Sequence, residues 1–367
     1  MKIMYLNSNH HITISRLLVC LILMYFSVSC GRDPKIDNAI VSYEDFTPTG
    51  LYGSCNCLCF DSDSSGYSAS NFVDTASAYP TFAILHTYDR GRSWEKFGRM
   101  RGYCTHLSQQ DEHLYFVTTD DTGQDVCFST LWISPKSIFN PEILAKEQSR
   151  ILNFCPLNDS TYTYLCDDDS GRSVIKRTFD YGHTWGTVTL PSSASCHPRA
   201  TYSGSTIFIP LLSDGTQPEG LFIKNIITDD EQFIQASIRN TLAADSVLVI
   251  SPQMTFFKYN GHDISPLSKF RWNITGHYTP GFFTYQNGVF ICAGSELYGK
   301  TDRHKCIFCS LDKAESWRTL AIGDDIILNN FLTTDSCMAH IPEIDGASVI
   351  YLSARDEQLH IIKVQKI

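Results

Sequence analysis

The chain has 367 residues, with 29 basic and 39 acidic side chains and a formal net charge of −10. This charge argues against nucleic acid as a partner, because proteins that bind nucleic acid present a basic face. The length is enough for one large or two ordinary domains. Tyr, Phe, Ser and Thr are plentiful and charge is sparse, which is typical of an all-β protein.

The first 29 residues are predicted to be a signal peptide. Lys2 and Arg16 precede an apolar run, Leu17 to Val28, that is too short to span a bilayer comfortably. The run ends in Ser-Val-Ser-Cys-Gly at 27–31 and resembles a bacterial lipoprotein signal, although Ser27 stands where Leu is usual. The resemblance implies lipidation of Cys30, a tether over 30–38 and a folded domain over 39–367. A single membrane anchor is the alternative.

Strand-like segments recur along the rest of the chain at intervals of roughly 35 to 51 residues, the range of four-stranded propeller blades. They begin near Tyr52, Tyr103, Leu152, Cys196, Val247, Phe282 and Phe331. This spacing predicts one β-propeller of seven four-stranded blades, or of six if the unit near Val247 is not a blade. The third unit is the clearest, with strands predicted at Ile151–Pro156, Thr161–Cys166, Ser173–Thr178 and Thr184–Leu190. The predicted strands of unit four end with Leu221–Ile227. Those of the weakest unit, unit five, are Ser246–Ile250, Thr255–Tyr259 and one around Trp272, and the last unit begins with Phe331–Thr334.

Two units are incomplete in the sequence. The second has no recognisable fourth strand, and we interpret residues 135–149 as a connection that contains proline. The last unit also lacks one strand, whereas Ala39–Tyr43 is strand-like and belongs to no unit. Pairing these two segments would close the ring and remove both sheet edges, which otherwise invite aggregation.

Three octapeptides share one pattern, Thr-Tyr-Asp-Arg-Gly-Arg-Ser-Trp at 87–94, Thr-Phe-Asp-Tyr-Gly-His-Thr-Trp at 178–185 and Ser-Leu-Asp-Lys-Ala-Glu-Ser-Trp at 310–317. Each follows a strand-like run, so each predicts a turn in which Asp accepts backbone N–H bonds. Gly is expected to adopt a positive φ in the first two turns, and the third, with Ala314 in place of Gly, predicts a looser turn. The pattern resembles the Asp-box, or bacterial neuraminidase repeat, of sialidase-like β-propellers. That resemblance implies a structural role for Asp89, Gly91, Trp94, Asp180, Gly182, Trp185, Asp312 and Trp317.

Propeller ligands usually bind at the face opposite the Asp-box turns, where the loops between second and third strands and those that enter first strands emerge. The first set of loops contains Asp120, Asp121, Asp168 and Asp214, either as ordinary hairpin chemistry or as a carboxylate rim. The second set contains Arg99, Arg101, Arg150, His197 and Arg199. Three arginines from neighbouring blades could hold a carboxylate through paired hydrogen bonds; scattered surface arginines are the alternative.

Sialidase-like enzymes use such an arginine cluster, together with an Arg-Ile-Pro motif, a Tyr–Glu pair and an Asp acid/base. The chain has no Arg-Ile-Pro motif, and no Tyr, Glu or Asp matches the others by motif, so no catalytic residue is assigned. We expect a binding module for a glycan or an envelope protein, lipid-anchored outside the cytoplasm and monomeric. An exo-acting glycoside hydrolase with a divergent arginine set is the alternative.

No metal or cofactor is predicted, since no phosphate loop or dinucleotide fingerprint is present. Cys55, Cys57 and Cys59 are predicted on one strand face, about 6.8 Å apart as alternate residues of a strand. That spacing is too wide for thiolates that share a zinc ion. The chain has 14 cysteines, and many occupy strand-like runs as small hydrophobic residues do. We therefore favour reduced, buried thiols over a disulfide framework.

Overall fold

The computed structural model describes residues 39–73, 79–121, 127–168, 170–191, 200–213, 218–238, 240–243, 247–250, 256–266, 279–286, 289–298, 302–311, 318–320, 336–341, 347–353 and 358–366. These residues form an all-β structure of antiparallel strands. The signal peptide, Cys30 and the tether lie outside them. No helix among the described residues is long and apolar enough to cross a membrane.

The described strands form seven four-stranded sheets, which fit the predicted blades. An N-terminal strand, β1 (Ala39–Phe46), precedes six sheets that are each built from four consecutive strands. Sheet 1 contains β2 (Ser54–Phe60), β3 (Gly66–Val73), β4 (Pro80–Thr87) and β5 (Glu95–Arg101). Sheet 2 contains β6 (Tyr103–Gln110), β7 (His113–Asp121), β8 (Cys127–Pro135) and β9 (Glu142–Glu147). Sheet 3 contains β10 (Ile151–Pro156), β11 (Tyr162–Asp167), β12 (Ser173–Thr178) and β13 (Gly186–Thr189).

The remaining sheets repeat this order. Sheet 4 contains β14 (Thr201–Ser203), β15 (Thr206–Leu211), β16 (Gly220–Asn225) and β17 (Glu231–Gln235). Sheet 5 contains β18 (Asn240–Ala243), β19 (Val247–Ile250), β20 (Phe256–Tyr259) and β21 (Ile264–Pro266). Sheet 6 contains β22 (Thr279–Gln286), β23 (Val289–Tyr298), β24 (Asp302–Ser310) and β25 (Arg318–Leu320). Sheet 7 contains β26 (Ser336–Ile341), β27 (Ala347–Ser353), β28 (Gln358–Lys366) and, paired with β28, the strand β1.

The apolar core lies between consecutive sheets. Phe82 of sheet 1 packs with Phe116 of sheet 2, with ring centroids 5.8 Å apart. The same arrangement recurs between sheets 2 and 3, between 3 and 4, and between 4 and 5. Leu359 and Ile361 of β28 pack on sheet 1 in the same way. Sheets 1 to 4 therefore bury both of their faces against neighbours, which explains why strands such as β4 are apolar on both sides.

Three expectations about strands need correction. Residues 135–149 are not only a connection, because β9 (Glu142–Glu147) lies within them. The prediction missed β17 in sheet 4. It also extended the preceding strand, β16, to Ile227, whereas β16 ends two residues earlier, at Asn225. It also missed β18, the first strand of sheet 5. The strands predicted around Trp272 and at Phe331–Thr334 lie outside the described residues.

The cysteines of β2 do not share one face, contrary to the prediction. A bulge between Cys55 and Cys57 shifts the register, so that Cys55 pairs with Ser70 and Cys57 with the adjacent Ala69. Cys55 consequently packs with the residues that face β28, whereas Cys57 packs with those that face sheet 2. First strands β6, β10 and β22 have a bulge at the equivalent place. Seven described cysteines, of which five are buried, carry a thiol and no disulfide: Cys55, Cys57, Cys59, Cys104, Cys155, Cys166 and Cys309.

The first two octapeptides form the same turn. In sheet 1, Ser93 N and Oγ donate to the Asp89 carboxylate at 2.8 and 2.6 Å, and Gly91 N donates to Thr87 Oγ1 at 2.8 Å. In sheet 3, Thr184 and Gly182 repeat these bonds with Asp180 and Thr178. Gly91 and Gly182 have φ of +82° and +84°, as the sequence predicts. Asp312 and Trp317 of the third octapeptide lie outside the described residues.

The carboxylate of Asp180 should make the stability of sheet 3 sensitive to acid. Hydrogen bonds, first from the Thr184 hydroxyl, lower the pKa of Asp180 from 3.8 to about 2. A folded-state pKa below the unfolded one stabilises the fold above pH 3.8, and this contribution is lost as the pH falls towards 2. Asp180→Asn should remove that part of the pH dependence, and Thr184→Ala should move it to higher pH. Unfolding midpoints measured from pH 6 to pH 2 test both outcomes, and an unchanged pH profile in Asp180→Asn would contradict them.

A buried amide joins sheets 1 and 2. Asn71 Nδ2 donates to the Cys104 carbonyl at 3.0 Å, and Asn71 Oδ1 accepts from the Cys104 N–H at 2.9 Å. The Asn71→Ala variant would leave both buried backbone groups without these partners, at a cost of about 2 kcal/mol of unfolding free energy. Asn153→Ala loses only one bond between sheets, to the Ala200 carbonyl, and should cost about half as much. Urea denaturation measures the loss of unfolding free energy in both variants. Equal losses would contradict the role of Asn71 in joining sheets 1 and 2.

Candidate functional site

The loops fall at two ends of the first three sheets. In a four-stranded meander, the turn between third and fourth strands lies at the end opposite the loop between second and third strands. The octapeptide turns of sheets 1 and 3 therefore mark one end. Only Gly102 separates β5 from β6, so the chain passes from sheet 1 to sheet 2 at the other end. Side chains at that second end form the candidate site.

Five side chains of sheet 1 lie together at this end, here called the arginine–aromatic surface: Tyr52, Phe72, Tyr79, Arg99 and Arg101. Four of them are exposed, and Phe72 is half-buried against the core. The strand register explains why they converge. Thr81 pairs with both Phe72 and Arg101, which places those two side chains on one face of the sheet. Arg99 lies two residues earlier on β5, on the same face. Tyr52 and Tyr79 stand next to the first residues of β2 and β4.

Both arginines of this surface lie over aromatic rings. Cζ of Arg101 is 4.9 Å from the ring centroid of Tyr79, and Cζ of Arg99 is 5.2 Å from that of Phe72. Tyr52 meets Phe72 edge to face at 5.4 Å. Burial raises the pKa of Tyr52, and the neighbouring Arg99 partly opposes that shift. A guanidinium that lies over a ring keeps its N–H donors in its own plane, which is the geometry that carboxylates recognise.

The exposed aromatic rings distinguish this surface from a packed core. Tyr79 is 56% exposed and Tyr52 36% exposed, although both are large and largely apolar. Tyr and Arg are the residues most enriched at the energetic centre of protein interfaces. Of the five residues, the sequence prediction named only the two arginines, Arg99 and Arg101, at the candidate face. A usable signal was present, since each tyrosine adjoins Gly53 or Pro80 at a strand end.

Asp120 lies at the border of this surface. A Cβ at Gly102, the residue after Arg101, would be 2.8 Å from Oδ1 of Asp120. The φ of Gly102 is +98°, so glycine is needed both for the turn and for this approach. Asp120 is the penultimate residue of β7, the second strand of sheet 2, and is exposed. Asp121 belongs to the same strand, and its side chain lies outside the described atoms.

Asp168 is engaged within its own loop. Its carboxylate accepts from Ser170 N and Oγ and pairs with the Arg172 guanidinium at 3.0 Å. These bonds, with that of the Ser170 hydroxyl first, hold the pKa of Asp168 well below its usual range. The geometry is that of an Asp turn, the ordinary hairpin chemistry left open by the sequence.

Arg150 and Arg101 have different neighbours: Arg150 lies near His106, whereas Arg101 lies over Tyr79. Arg150 stands just before β10, the first strand of sheet 3, close to His106 on the first strand of sheet 2. Burial, and then the charge of Arg150, lower the pKa of His106. His106 Nδ1 lies 3.2 Å from Thr105 Oγ1. Arg101, by contrast, ends the outermost strand of sheet 1. The other two predicted members of the cluster, His197 and Arg199, lie outside the described residues, as does Asp214.

Comparisons with solved structures concern the fold. The β-propeller domain of the Trilobed protease from Pyrococcus furiosus is similar over 83% of this chain and 93% of its own, with a TM-score of 0.54 and 8% identity. An uncharacterized protein from Listeria monocytogenes EGD-e is similar over 90% of this chain and 95% of its own, with a TM-score of 0.53 and 9% identity. The fold is a β-propeller.

A third similar structure belongs to a study of two prolyl endopeptidases, with a TM-score of 0.52 and 10% identity. It is similar over 90% of this chain but only 50% of its own length. No protein-family model matches the sequence, and no curated protein matches it either. At these identities the likeness concerns the fold alone, so function has to be argued from the residues.

Among the described residues, no group of three or more His, Cys, Asp or Glu side chains is placed to hold a metal ion.

Proposed function

We propose that the seven sheets are the blades of a single propeller and that β1 closes the ring. The first strands of sheets 1 and 2 lie side by side, as do those of sheets 5 and 6, 6 and 7, and 7 and 1. The strand β1 pairs with β28 from Ala39–Lys366 to Phe46–Leu359. Supplying one strand from the N-terminus and three from the C-terminus would tie the chain ends together. The Pyrococcus propeller, in contrast, has an open velcro topology.

The propeller is a binding module that recognises a glycan or a protein through the arginine–aromatic surface. The observation that supports this most is the pair of exposed guanidiniums stacked on Tyr79 and Phe72 at one end of sheet 1. Stacking fixes both arginines before a ligand arrives, which reduces the entropy lost on binding. On a chain with net charge −10, these two cations favour a ligand that presents a carboxylate or another anionic group.

The module acts outside the cytoplasm as a lipid-anchored monomer. This part of the proposal is supported by the sequence before Cys30, which resembles a lipoprotein signal. A tether of several residues between a lipidated Cys30 and β1 would leave the propeller free to meet a ligand in the cell envelope. Palmitate labelling of the full chain, lost in Cys30→Ser, tests the anchor independently of ligand binding.

The hydrolase alternative requires several arginines to meet in one pocket with an acid and a nucleophile. Arg101 and Arg150 are found beside different residues, on the outermost strand of sheet 1 and before the innermost strand of sheet 3. Asp168 is bonded within its own turn. None of these contacts favours catalysis over binding.

Two assays of the full chain test the proposed function. A glycan array that includes neutral and carboxylate-bearing glycans, and a pull-down from solubilised envelope, should yield a ligand in at least one arm. A fluorogenic sialoside should not be hydrolysed. Hydrolysis that is lost in Arg101→Ala would overturn the binding-only function, and the absence of any ligand in both binding arms would count against recognition.

A further inference from the structure

Two buried thiols from different sheets meet between sheets 1 and 2. Cys57 lies on the first strand of sheet 1 and Cys104 on the first strand of sheet 2, and these strands are neighbours. Both residues are buried and belong to the same apolar cluster. Cys57 is also the neighbour with the largest effect on the pKa of the Cys104 thiol, which it raises.

The backbone around this pair is held in place. Asn71 bonds both the N–H and the carbonyl of Cys104. Cys104 Sγ donates to the His106 carbonyl at 3.3 Å. On the other side, the bulge after Cys55 turns the Cys57 side chain towards sheet 2. A disulfide needs Cβ atoms that face each other at short range, and Cys57 and Cys104 face each other from neighbouring strands within one buried cluster.

We propose that Cys57 and Cys104 form a disulfide that fastens sheet 1 to sheet 2 when the chain meets a disulfide oxidant. The oxidant is a small disulfide such as oxidised glutathione, or the disulfide of an envelope oxidoreductase. The thiolate of one cysteine attacks the oxidant's disulfide and releases one thiol; the second cysteine then attacks the mixed disulfide and releases the other. The protein loses two electrons and two protons, and the oxidant becomes two thiols.

The proposal concerns a modification of the fold and is independent of the ligand. It also predicts when the bond forms. The neighbouring Cys57 thiol has the largest effect on the pKa of the Cys104 thiol and burial the second largest, and both raise this pKa well above its usual value. The reactive thiolate is therefore scarce once sheets 1 and 2 have packed together. Oxidation should therefore be slow in the folded protein and fast while the chain folds.

Peptide mapping tests the bond directly. The full chain is isolated from cells with an alkylating reagent present, and a second sample is refolded from denaturant with oxidised glutathione. We expect a peptide pair that joins Cys57 to Cys104, lighter than the two separate peptides by about 2 Da. The pair should be absent from Cys104→Ser and present in Cys155→Ser, which changes a half-buried thiol of sheet 3.

Stability gives a second measurement. The bond would close a loop of about 47 residues, so reduction should lower the unfolding midpoint by on the order of 5 °C. The Cys57→Ser/Cys104→Ser variant should show no such response to reductant. Recovery of both thiols alkylated in both samples would overturn the proposal, as would a bond from Cys57 or Cys104 to Cys59.

Discussion

Trp94→Ala should reduce the unfolding free energy by about 4 kcal/mol, the loss typical of a large aromatic residue removed from a core. Trp94 is 5% exposed and packs in the cluster that includes Leu359 of β28. Its Nε1 donates to the Gly91 carbonyl at 2.8 Å, and its ring meets Phe60 edge to face. The variant would leave a cavity where sheet 1 meets the C-terminal strand.

The backbone of Trp94 adds to this effect. Its N–H donates to the Thr49 carbonyl at 2.9 Å, in the segment that leads from β1 to β2. A Cβ at Gly50 would lie 2.1 Å from the Trp94 carbonyl oxygen. The segment that follows β1 and the last strand, β28, therefore both contact the first octapeptide, through residues 49–50 and through Leu359.

Trp185 is the matched control, since it occupies the same position in the octapeptide of sheet 3. It is only half-buried, and its buried Nε1 has no hydrogen-bond partner. Trp185→Ala should cost about 2 kcal/mol, because less apolar area and no indole hydrogen bond are lost. Guanidinium denaturation of both variants measures the difference, and equal losses would show that the chain ends do not depend on Trp94.

The repeated architecture could be predicted from the sequence because inner strands bury both faces. Strands β10 and β12 have the predicted bounds, and β11 starts and ends one residue later than predicted. The predicted pairing of the Ala39 segment with the last unit is also present. The missed strands β9 (Glu-Ile-Leu-Ala-Lys-Glu) and β17 (Glu-Gln-Phe-Ile-Gln) are outermost, where water covers part of the strand. Their polar residues conceal the alternation on which strand prediction depends.

The candidate site was harder to predict, since it depends on register. Tyr52, Phe72 and Tyr79 resemble core aromatic residues in the sequence, and only the pairing of Thr81 with Phe72 and Arg101 shows that they share a face and an end. A similar limit applies to the cysteines of β2. Alternation placed them together, and a single bulge separated Cys55 from Cys57.

Replacing Arg101 and Tyr79, the arginine and the ring beneath it, should strongly weaken ligand binding without affecting the fold. In Arg101→Ala/Tyr79→Ala, the loss of the cation and of its supporting ring should weaken binding at least about 100-fold, as expected for central interface residues. Both side chains are exposed, so the unfolding midpoint should stay within the range of ordinary surface substitutions.

The control variant is Arg172→Ala/Tyr88→Ala. Arg172 is an exposed arginine of sheet 3, paired with Asp168. Tyr88 is a 66% exposed tyrosine in the octapeptide turn at the opposite end of sheet 1. The control therefore removes the same two residue types from outside the arginine–aromatic surface.

Titration of the ligand obtained from the glycan array or the pull-down, against the wild-type chain and both double variants, tests the proposed function most directly. We expect Arg172→Ala/Tyr88→Ala to bind as the wild type does and Arg101→Ala/Tyr79→Ala to lose at least about 100-fold in affinity at an unchanged unfolding midpoint. Equal affinity of the two double variants would contradict recognition at the arginine–aromatic surface.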